Sequence, residues 1–181
     1  MGEPSYALVA YLSGPLSEFI RRLRTRLNPD FADWHPHVTI LPPRPLRGDP
    51  QQAIDLLRDT CAKLEPFVVT VDAVDSFLPR NSVVFLALSR GSPQLVTLHR
   101  SLNCEGLAQV EQFEYVPHLT IAQQLDEAGT LAAIRESRAA WNGFRGERSF
   151  RVESLRLVRQ TPENQWIDLA TLPLGTALER V

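Results

Sequence analysis

The stretch Pro36-His37-Val38-Thr39-Ile40 is echoed by Pro117-His118-Leu119-Thr120-Ile121 in the second part of a 181-residue chain. Both runs read Pro-His-apolar-Thr-Ile. Val, Ile and Thr favour extended backbone, so each run is predicted to be a β-strand, in which side chains alternate between two faces. The His and Thr of each run therefore share one face, and the apolar residues beside them face the core.

The imidazole and hydroxyl groups on these two strands fit the chemistry of phosphoryl transfer. One of His37 and His118 can take a proton from an attacking oxygen while the other gives a proton to the leaving oxygen. Both protonation states of histidine are accessible near neutral pH, since its unperturbed pKa is about 6.5. The hydroxyls of Thr39 and Thr120 can hydrogen-bond the non-bridging oxygens between them. Such a site needs no metal ion.

The paired H-x-T motifs, His37-Val38-Thr39 and His118-Leu119-Thr120, resemble the signature of the two-histidine (2H) phosphoesterases. This superfamily contains the bacterial 2′-5′ RNA ligases and RNA cyclic phosphodiesterases. The resemblance implies an α+β, bilobal fold. In it, two antiparallel-rich sheets are related by a pseudo-two-fold duplication, flanked by helices, and enclose a central cleft.

For activity, the resemblance implies a metal-independent phosphoesterase that opens 2′,3′-cyclic phosphates, on RNA ends or on nucleotides, to 2′-phosphates. His37 and His118 are the implied catalytic residues, Thr39 and Thr120 are the implied substrate-binding residues, and neither a cofactor nor a metal is expected. The near symmetry of the motifs leaves open which histidine is the base and which the acid. The motifs also do not determine whether the reaction is hydrolysis or 2′-5′ ligation. They do not identify the physiological substrate.

Composition indicates an ordinary globular protein with a formal net charge of −2, so general attraction to nucleic acid is not expected but a local basic cleft remains allowed. The longest apolar runs fall well short of the ~20 residues of a membrane span, so no membrane contact is expected. Cys61 and Cys104 are too few for a disulfide framework and favour a reducing cytoplasm. Oligomeric state is left open, with a monomer favoured.

Hydrophobic periodicity predicts the order β-α-β-α-β followed by β-α-β-α-β-β-β, with an H-x-T run in the second strand of each series. The chain is therefore expected to be one domain, 1–181, with pseudo-repeat halves at roughly 1–78 and 79–181. A second echo, Val74-Asp75-Ser76-Phe77 against Val152-Glu153-Ser154-Leu155, supports the repeat. A pseudo-two-fold axis would bring the two H-x-T strands together across a cleft.

Three local predictions accompany this order. The first helix, Leu16 to Leu27, ends in a run of arginines interpreted as a solvated face. Consecutive prolines at Pro42-Pro43 are predicted to close the first H-x-T strand, because proline cannot donate to a sheet ladder. The fourth helix, about 126–140, is predicted to turn Leu131 and Ile134 inward. The arginines in question are Arg21, Arg22, Arg24 and Arg26.

Two alternatives stay open. His35 precedes His37 by two residues, and with His99 and His118 it could form a histidine-ligated metal hydrolase site. Against this, hydrolytic metal sites usually add carboxylates, His99 lies on an apolar helix face typical of a core histidine, and His35 is placed at the cleft rim. The other alternative is a module that binds an RNA end or a nucleotide without turnover.

The aromatic residues and the loops of the sequence do not identify the substrate. Tyr115 and Trp34 face away from the histidines by strand parity, which favours core packing over base stacking, and Trp166 is interpreted as a sheet aromatic. No glycine-rich phosphate loop occurs, so ligation coupled to nucleotide hydrolysis is not supported. Substrate choice is expected to depend on the loops at about 41–49 and 79–81.

Overall fold

A computed structural model describes residues 4–175, which form eight β-strands and four α-helices in the predicted order. The strands are β1 (Ser5–Tyr11), β2 (His37–Pro45), β3 (Phe67–Ser76), β4 (Val84–Leu88), β5 (His118–Ala122), β6 (Ser149–Val152), β7 (Ser154–Gln160) and β8 (Trp166–Pro173). The helices are α1 (Gly14–Leu27), α2 (Pro50–Cys61), α3 (Ser92–Leu102) and α4 (Glu127–Gly143). Short 3₁₀ turns at Pro29–Phe31 and Glu105–Leu107 were not predicted.

The strands of residues 4–175 form one curled sheet in the order β6-β3-β4-β5-β2-β1-β7-β8, with every neighbouring pair antiparallel. The predicted α+β, antiparallel class is confirmed. Two separate sheets were expected, and here the structure differs. The H-x-T strands β2 and β5 pair at the centre and join both groups of four strands into one sheet.

Each half of the sheet draws on both parts of the chain. Strand β3 belongs to the first part but pairs with β4, whereas β7 and β8 belong to the second part and lie beside β1. The helices cross over in the same way, since α1 packs against β5 and α3 packs against β2. The predicted repeat units, 1–78 and 79–181, thus interleave in space, while their duplication within a single domain stays a prediction.

The main core lies between the sheet and the helices. Leu8, Ile20, Leu86 and Leu119 are among its residues with no exposed surface. A second, small apolar cluster, in which Ala7, Val9 and Val158 are buried, is separate from the main core. By strand parity, Ala7 and Val9 lie on the sheet face opposite the one that carries Leu8. That opposite face carries the cleft described below.

The H-x-T strand β2 does not stop at its prolines. It continues through Pro42 and Pro43 to Pro45, contrary to the sequence prediction. The register against β1 shifts there, with Leu41 opposite Leu8 and Arg44 opposite Tyr6. Between these two pairs β2 has one more residue than β1, and a second shift between the Leu8–Leu41 and Val9–Thr39 pairs adds another. The extra residues accommodate prolines that cannot donate a ladder bond.

Helix α4 was predicted with Leu131 and Ile134 facing inward. Ile134 is 9% exposed as expected, but Leu131 is 46% exposed, so that part of the prediction was wrong. The inward face is set by its neighbours at helical spacing, and Leu131 lies about 100° away from Thr130. The buried residues of the helix are Thr130, Ala133, Ile134, Ser137 and Trp141.

None of the helices within residues 4–175 is both long enough and apolar enough to cross a membrane. Cys61 is buried and Cys104 partly buried, and both are free thiols.

Candidate active site

The two H-x-T strands lie side by side in the middle of the sheet. Val38 of β2 stands opposite Leu119 of β5, and within residues 4–175 this is the single residue pair that joins the two strands. If the antiparallel register of this pair is extended by one residue in each direction, His37 falls opposite Thr120 and Thr39 falls opposite His118. The two histidines then lie on a diagonal, a spacing of roughly 7–8 Å across a strand pair.

Burial alternates along both strands as the sequence predicts. The apolar residues of the two motifs are at most 1% exposed, while His37, Thr39, His118 and Thr120 are partly exposed. All four of these side chains line one cleft with a volume of about 1100 Å³. The structure therefore brings together the four residues that the motifs singled out.

The two imidazoles are held by the same local contact. His37 Nδ1 lies 2.6 Å from the His35 carbonyl oxygen, and His118 Nδ1 lies 2.7 Å from the Val116 carbonyl oxygen. A carbonyl can only accept, so Nδ1 donates in both rings and carries the hydrogen of the neutral form. In each neutral ring Nε2 then keeps its lone pair and can accept a proton.

The surroundings of His37 are mixed. The ring of Tyr11 lies 6.4 Å from it, and the Tyr11 hydroxyl donates to Asp168 Oδ1 at 2.7 Å. Burial lowers the pKa of His37 to about 4, and the charge of Arg24 adds to this effect, although the bond to the His35 carbonyl opposes it. At neutral pH the free protein therefore presents His37 as a neutral ring.

His118 lies in a more apolar setting. The rings of Phe77 and Phe85 both lie 5.0 Å from its ring, Phe77 at an interplanar angle of 89°. Burial lowers the pKa of His118, opposed by the hydrogen bond to the Val116 carbonyl. The two motifs thus match in sequence while their aromatic neighbours differ.

The backbone carbonyls of the two threonines are each bound by a side chain from elsewhere in the chain. Arg24 donates to the Thr120 oxygen through Nε at 3.0 Å and Nη2 at 2.7 Å. The Tyr115 hydroxyl donates to the Thr39 oxygen at 2.7 Å. These two contacts, which we call the carbonyl clamps, stabilise the strands where backbone pairing between them is sparse.

Sequence reasoning missed both clamps. Arg24 was grouped with a solvated arginine face, yet it is 3% exposed. The sequence did contain an indication that Arg24 is buried. Arg24 follows Ile20 by four residues and so lies on the apolar face of α1. Strand parity was applied to Tyr115, but β5 begins at His118 and the parity rule does not reach it.

The remaining histidines have local partners. His35 is exposed on the cleft wall, and its Nε2 donates to the Leu12 carbonyl at 2.7 Å. His99 is buried, donates from Nδ1 to the Ile40 carbonyl at 2.8 Å and stacks on Tyr115 with ring centres 4.0 Å apart. Across residues 4–175 no three His, Cys, Asp or Glu side chains are grouped as a metal site.

The walls of the cleft come from several segments. Pro42 to Arg44 lie in the range expected to be a substrate-selecting loop, but they line the cleft as part of β2. Arg80 with Asn81 belong to the other loop expected to matter for substrate choice. A further wall, within residues 109–116 between α3 and β5, was not expected from the sequence, in which Tyr115 alone of this segment was considered. It carries Phe113, which is 50% exposed and lies 4.8 Å beneath the Arg80 guanidinium.

Comparison with known sequences gives a match over most of the chain. The sequence profile of the 2′-5′ RNA ligase superfamily matches residues 12–164. A candidate phosphoesterase of Bacillus cytotoxicus is 32% identical over 169 residues, which cover 93% of this chain and 95% of the relative.

Solved structures show the same fold at lower identity. The crystal structure of E. coli LigT complexed with 3′-AMP superposes with a TM-score of 0.64 at 19% identity, covering 95% of this chain and 99% of LigT. The structure of Kluyveromyces marxianus Usb1 with uridine monophosphate gives a TM-score of 0.53 at 14% identity, covering 95% and 99%.

Proposed function

The chain belongs to the 2′-5′ RNA ligase superfamily, and on that basis we propose that it is a metal-independent phosphoesterase that opens 2′,3′-cyclic phosphates. The product is a 2′-phosphate, and the substrate is an RNA end or a nucleotide. His37 and His118 are the catalytic residues, and Thr39 and Thr120 bind the phosphate. We further propose a cytoplasmic location, which the low cysteine content supports.

The observation that carries this proposal is the matched anchoring of two imidazoles in one cleft. Each Nδ1 donates to the carbonyl oxygen two residues earlier in the chain. This bond fixes the ring orientation and leaves Nε2 for proton transfer. A pair of such nitrogens can act together as one base and one acid.

The proposed reaction proceeds by in-line displacement at phosphorus. The neutral histidine takes a proton from water as the water oxygen bonds to phosphorus, and the bond from phosphorus to the ribose 3′-oxygen breaks. The protonated histidine gives its proton to that oxygen, which leaves a 2′-phosphate and a 3′-hydroxyl. The hydroxyls of Thr39 and Thr120 donate to the non-bridging oxygens, whose negative charge is shared in the transition state.

Ligation would use the same groups on the same cyclic phosphate. A ribose hydroxyl of a second RNA end takes the place of water as nucleophile and gives its proton to the neutral histidine. The bond from phosphorus to the 3′-oxygen breaks, and the protonated histidine gives its proton to that oxygen. Hydrolysis is the direction that water favours, and it is the one proposed here.

A nucleotide ligand is supported by the cleft and by the structural neighbours. Besides the histidines, the cleft is lined by the aromatic rings of Tyr11, Phe113 and Trp166, which offer planar surfaces for a base. Solved structures of LigT and Usb1, which share the fold, hold 3′-AMP and uridine monophosphate respectively. Which base or RNA sequence is preferred is left to experiment.

The test is product formation from a nucleoside 2′,3′-cyclic phosphate in excess EDTA. We expect the wild type to form the 2′-phosphate, and His37→Ala and His118→Ala each to lower the rate by about 10²-fold or more. His35→Ala is the matched control, since His35 lies in the same cleft without the shared Nδ1 anchor, and it should keep most of the rate.

Other outcomes point to other functions. Equilibrium binding of the cyclic nucleotide without turnover would indicate a binding module. Loss of activity on chelation and its return with added zinc, together with a large loss in His35→Ala, would indicate a metal hydrolase.

A further inference from the structure

Arg24 is a buried arginine whose hydrogen bonds all go to backbone carbonyls. It is 3% exposed, and besides the two bonds to the Thr120 oxygen its Nη1 donates to the Trp34 oxygen at 2.6 Å. The side chain starts on α1 and touches both β5 and the segment that leads into β2. It therefore connects three elements that meet at the cleft.

Arg24 forms no salt bridge with any other residue in the described range. Among residues 4–175 no carboxylate oxygen lies within 4.0 Å of its guanidinium. The other buried arginine, Arg44, differs in this respect because Glu111 pairs with it. Burying an unpaired cation is destabilising because the charge loses its hydration, and burial lowers the pKa of Arg24 to about 10.

Arg24 lines the cleft beside the proposed catalytic groups. Its carbonyl clamp is on Thr120, the residue after Leu119, and Leu119 pairs with Val38, the residue after His37. Its charge is also felt by His37, whose pKa it helps to lower. Other charged side chains on the cleft wall are Asp30, Asp33, Arg44, Arg80, Glu111 and Glu114.

We propose that Arg24 is a positioning residue whose uncompensated charge is balanced by the phosphate of the substrate, while its guanidinium holds the strand that carries His118 and Thr120. The inference rests on the proposed function in that the cleft must accept a phosphate. An anion bound between the histidines supplies the missing counter-charge, so the cost of burying Arg24 is recovered on binding.

The two contributions of Arg24 are separable. Its charge acts on the affinity for an anion and on the titration of His37. Its planar fork, which binds one carbonyl through two nitrogens, acts on the position of β5. Arg24→Lys keeps the charge without the fork, and Arg24→Gln removes the charge while keeping one amide donor.

The experiment measures the dissociation constant for inorganic phosphate by calorimetry and the pKa of His37 by NMR titration. Arg24→Gln should weaken phosphate binding about tenfold or more and raise the pKa of His37, because a positive charge has been removed. Arg24→Lys should bind phosphate nearly as the wild type does but lower kcat for the cyclic phosphate. Arg148→Gln is the matched control, an arginine that binds the Trp141 carbonyl away from the cleft.

Tyr115→Phe shows what the loss of a carbonyl clamp does when no charge is changed, because it removes the hydrogen bond to the Thr39 carbonyl. The pKa of His37 in this variant should equal that in the wild type. Wild-type phosphate affinity in folded Arg24→Gln would overturn the inference, even if the wild type opens cyclic phosphates. If Arg24→Gln does not fold, loss of phosphate affinity in Arg24→Lys would overturn it. A wild type that opens cyclic phosphates but binds no inorganic phosphate would overturn this inference alone, whereas a wild type that binds phosphate without opening cyclic phosphates would count against the proposed function alone.

Discussion

At the scale of single residues, the two histidines share an anchor but not an environment. Both Nδ1 atoms donate to a carbonyl, yet His37 lies near Arg24 and Tyr11 whereas His118 packs against a pair of phenylalanines that contact each other. Burial lowers the pKa of both rings. The proposed reaction needs one ring neutral and the other charged, so these shifts determine its pH range.

We expect kcat/KM for a 2′,3′-cyclic nucleotide to follow a bell-shaped pH profile with its maximum below pH ~6.5, the unperturbed value for histidine. As pH falls from neutrality the pair gains its first proton and the rate rises, and it falls again when both rings are protonated. A bound phosphate anion favours the charged rings, so the profile of kcat should lie at higher pH. A flat rate between about pH 5 and 9 would contradict the pair mechanism.

The threonine hydroxyls allow a prediction with little change in volume. Thr39→Val and Thr120→Val should each lower kcat, by about 10²-fold if the hydroxyl donates to the transition state. Thr39→Ser and Thr120→Ser keep the hydroxyl and should retain most of the rate. Steady-state kinetics with folded protein checks this, and valine variants as active as the serine variants would show that the hydroxyls have no role.

At the scale of elements, the segment between α3 and β5 depends on a buried ion pair. Arg44 of β2 is 2% exposed and binds Glu111 of that segment together with the Asn103 side chain and the Leu107 carbonyl. Glu111 also lies 3.5 Å from His99. These contacts fix the wall that ends in Tyr115, and thus the clamp on Thr39.

Removing Glu111 should therefore destabilise the protein. Glu111→Ala leaves the Arg44 charge buried and unpaired, at a cost of about 3 kcal/mol in the free energy of unfolding. Glu136→Ala is the control, since Glu136 and its partner Arg26 are both more than half exposed and such a pair contributes less than about 1 kcal/mol. Urea unfolding compares the two, and equal losses would argue against a structural role for the Glu111 pair.

At the scale of the whole molecule, folding lowers the proton affinity of the site. The folded pKa of His37 is about 4 and that of His118 is also lowered, whereas an unfolded chain titrates near 6.5. As pH falls through this range, the unfolded state therefore binds protons first. The stability from the two neutral rings is present above about pH 6.5 and is lost towards the folded pKa values.

We expect the free energy of unfolding of the wild type to fall more between pH 7.5 and 5 than that of the double variant His37→Asn/His118→Asn. Asparagine does not titrate, so the variant lacks this contribution while the carboxylates respond alike in both proteins. Urea titrations at the two pH values give the difference. Parallel losses would mean that the two rings titrate alike in the folded and unfolded chain.

The sequence alone determined the order of the elements and the α+β class. Both follow from local rules, because the strand period of two and the helical spacing of apolar residues act within a few positions. The meeting of the four H-x-T side chains in one cleft was expected only from the internal repeat and the family resemblance. The resemblance carried by the two H-x-T motifs was confirmed by the superfamily match over residues 12–164. The roles of His37, Thr39, His118 and Thr120 stay predictions until variants are measured.

The tertiary structure decided what depends on partners distant in the chain. It joined the expected two sheets into one through Val38 and Leu119, and it carried β2 past its prolines by a shift in register. It also turned Arg24 from a supposed surface charge into a buried clamp on Thr120. A residue's helical position indicates which face it occupies, but the carbonyl that meets it there is 96 residues away, and only folding brings the two together.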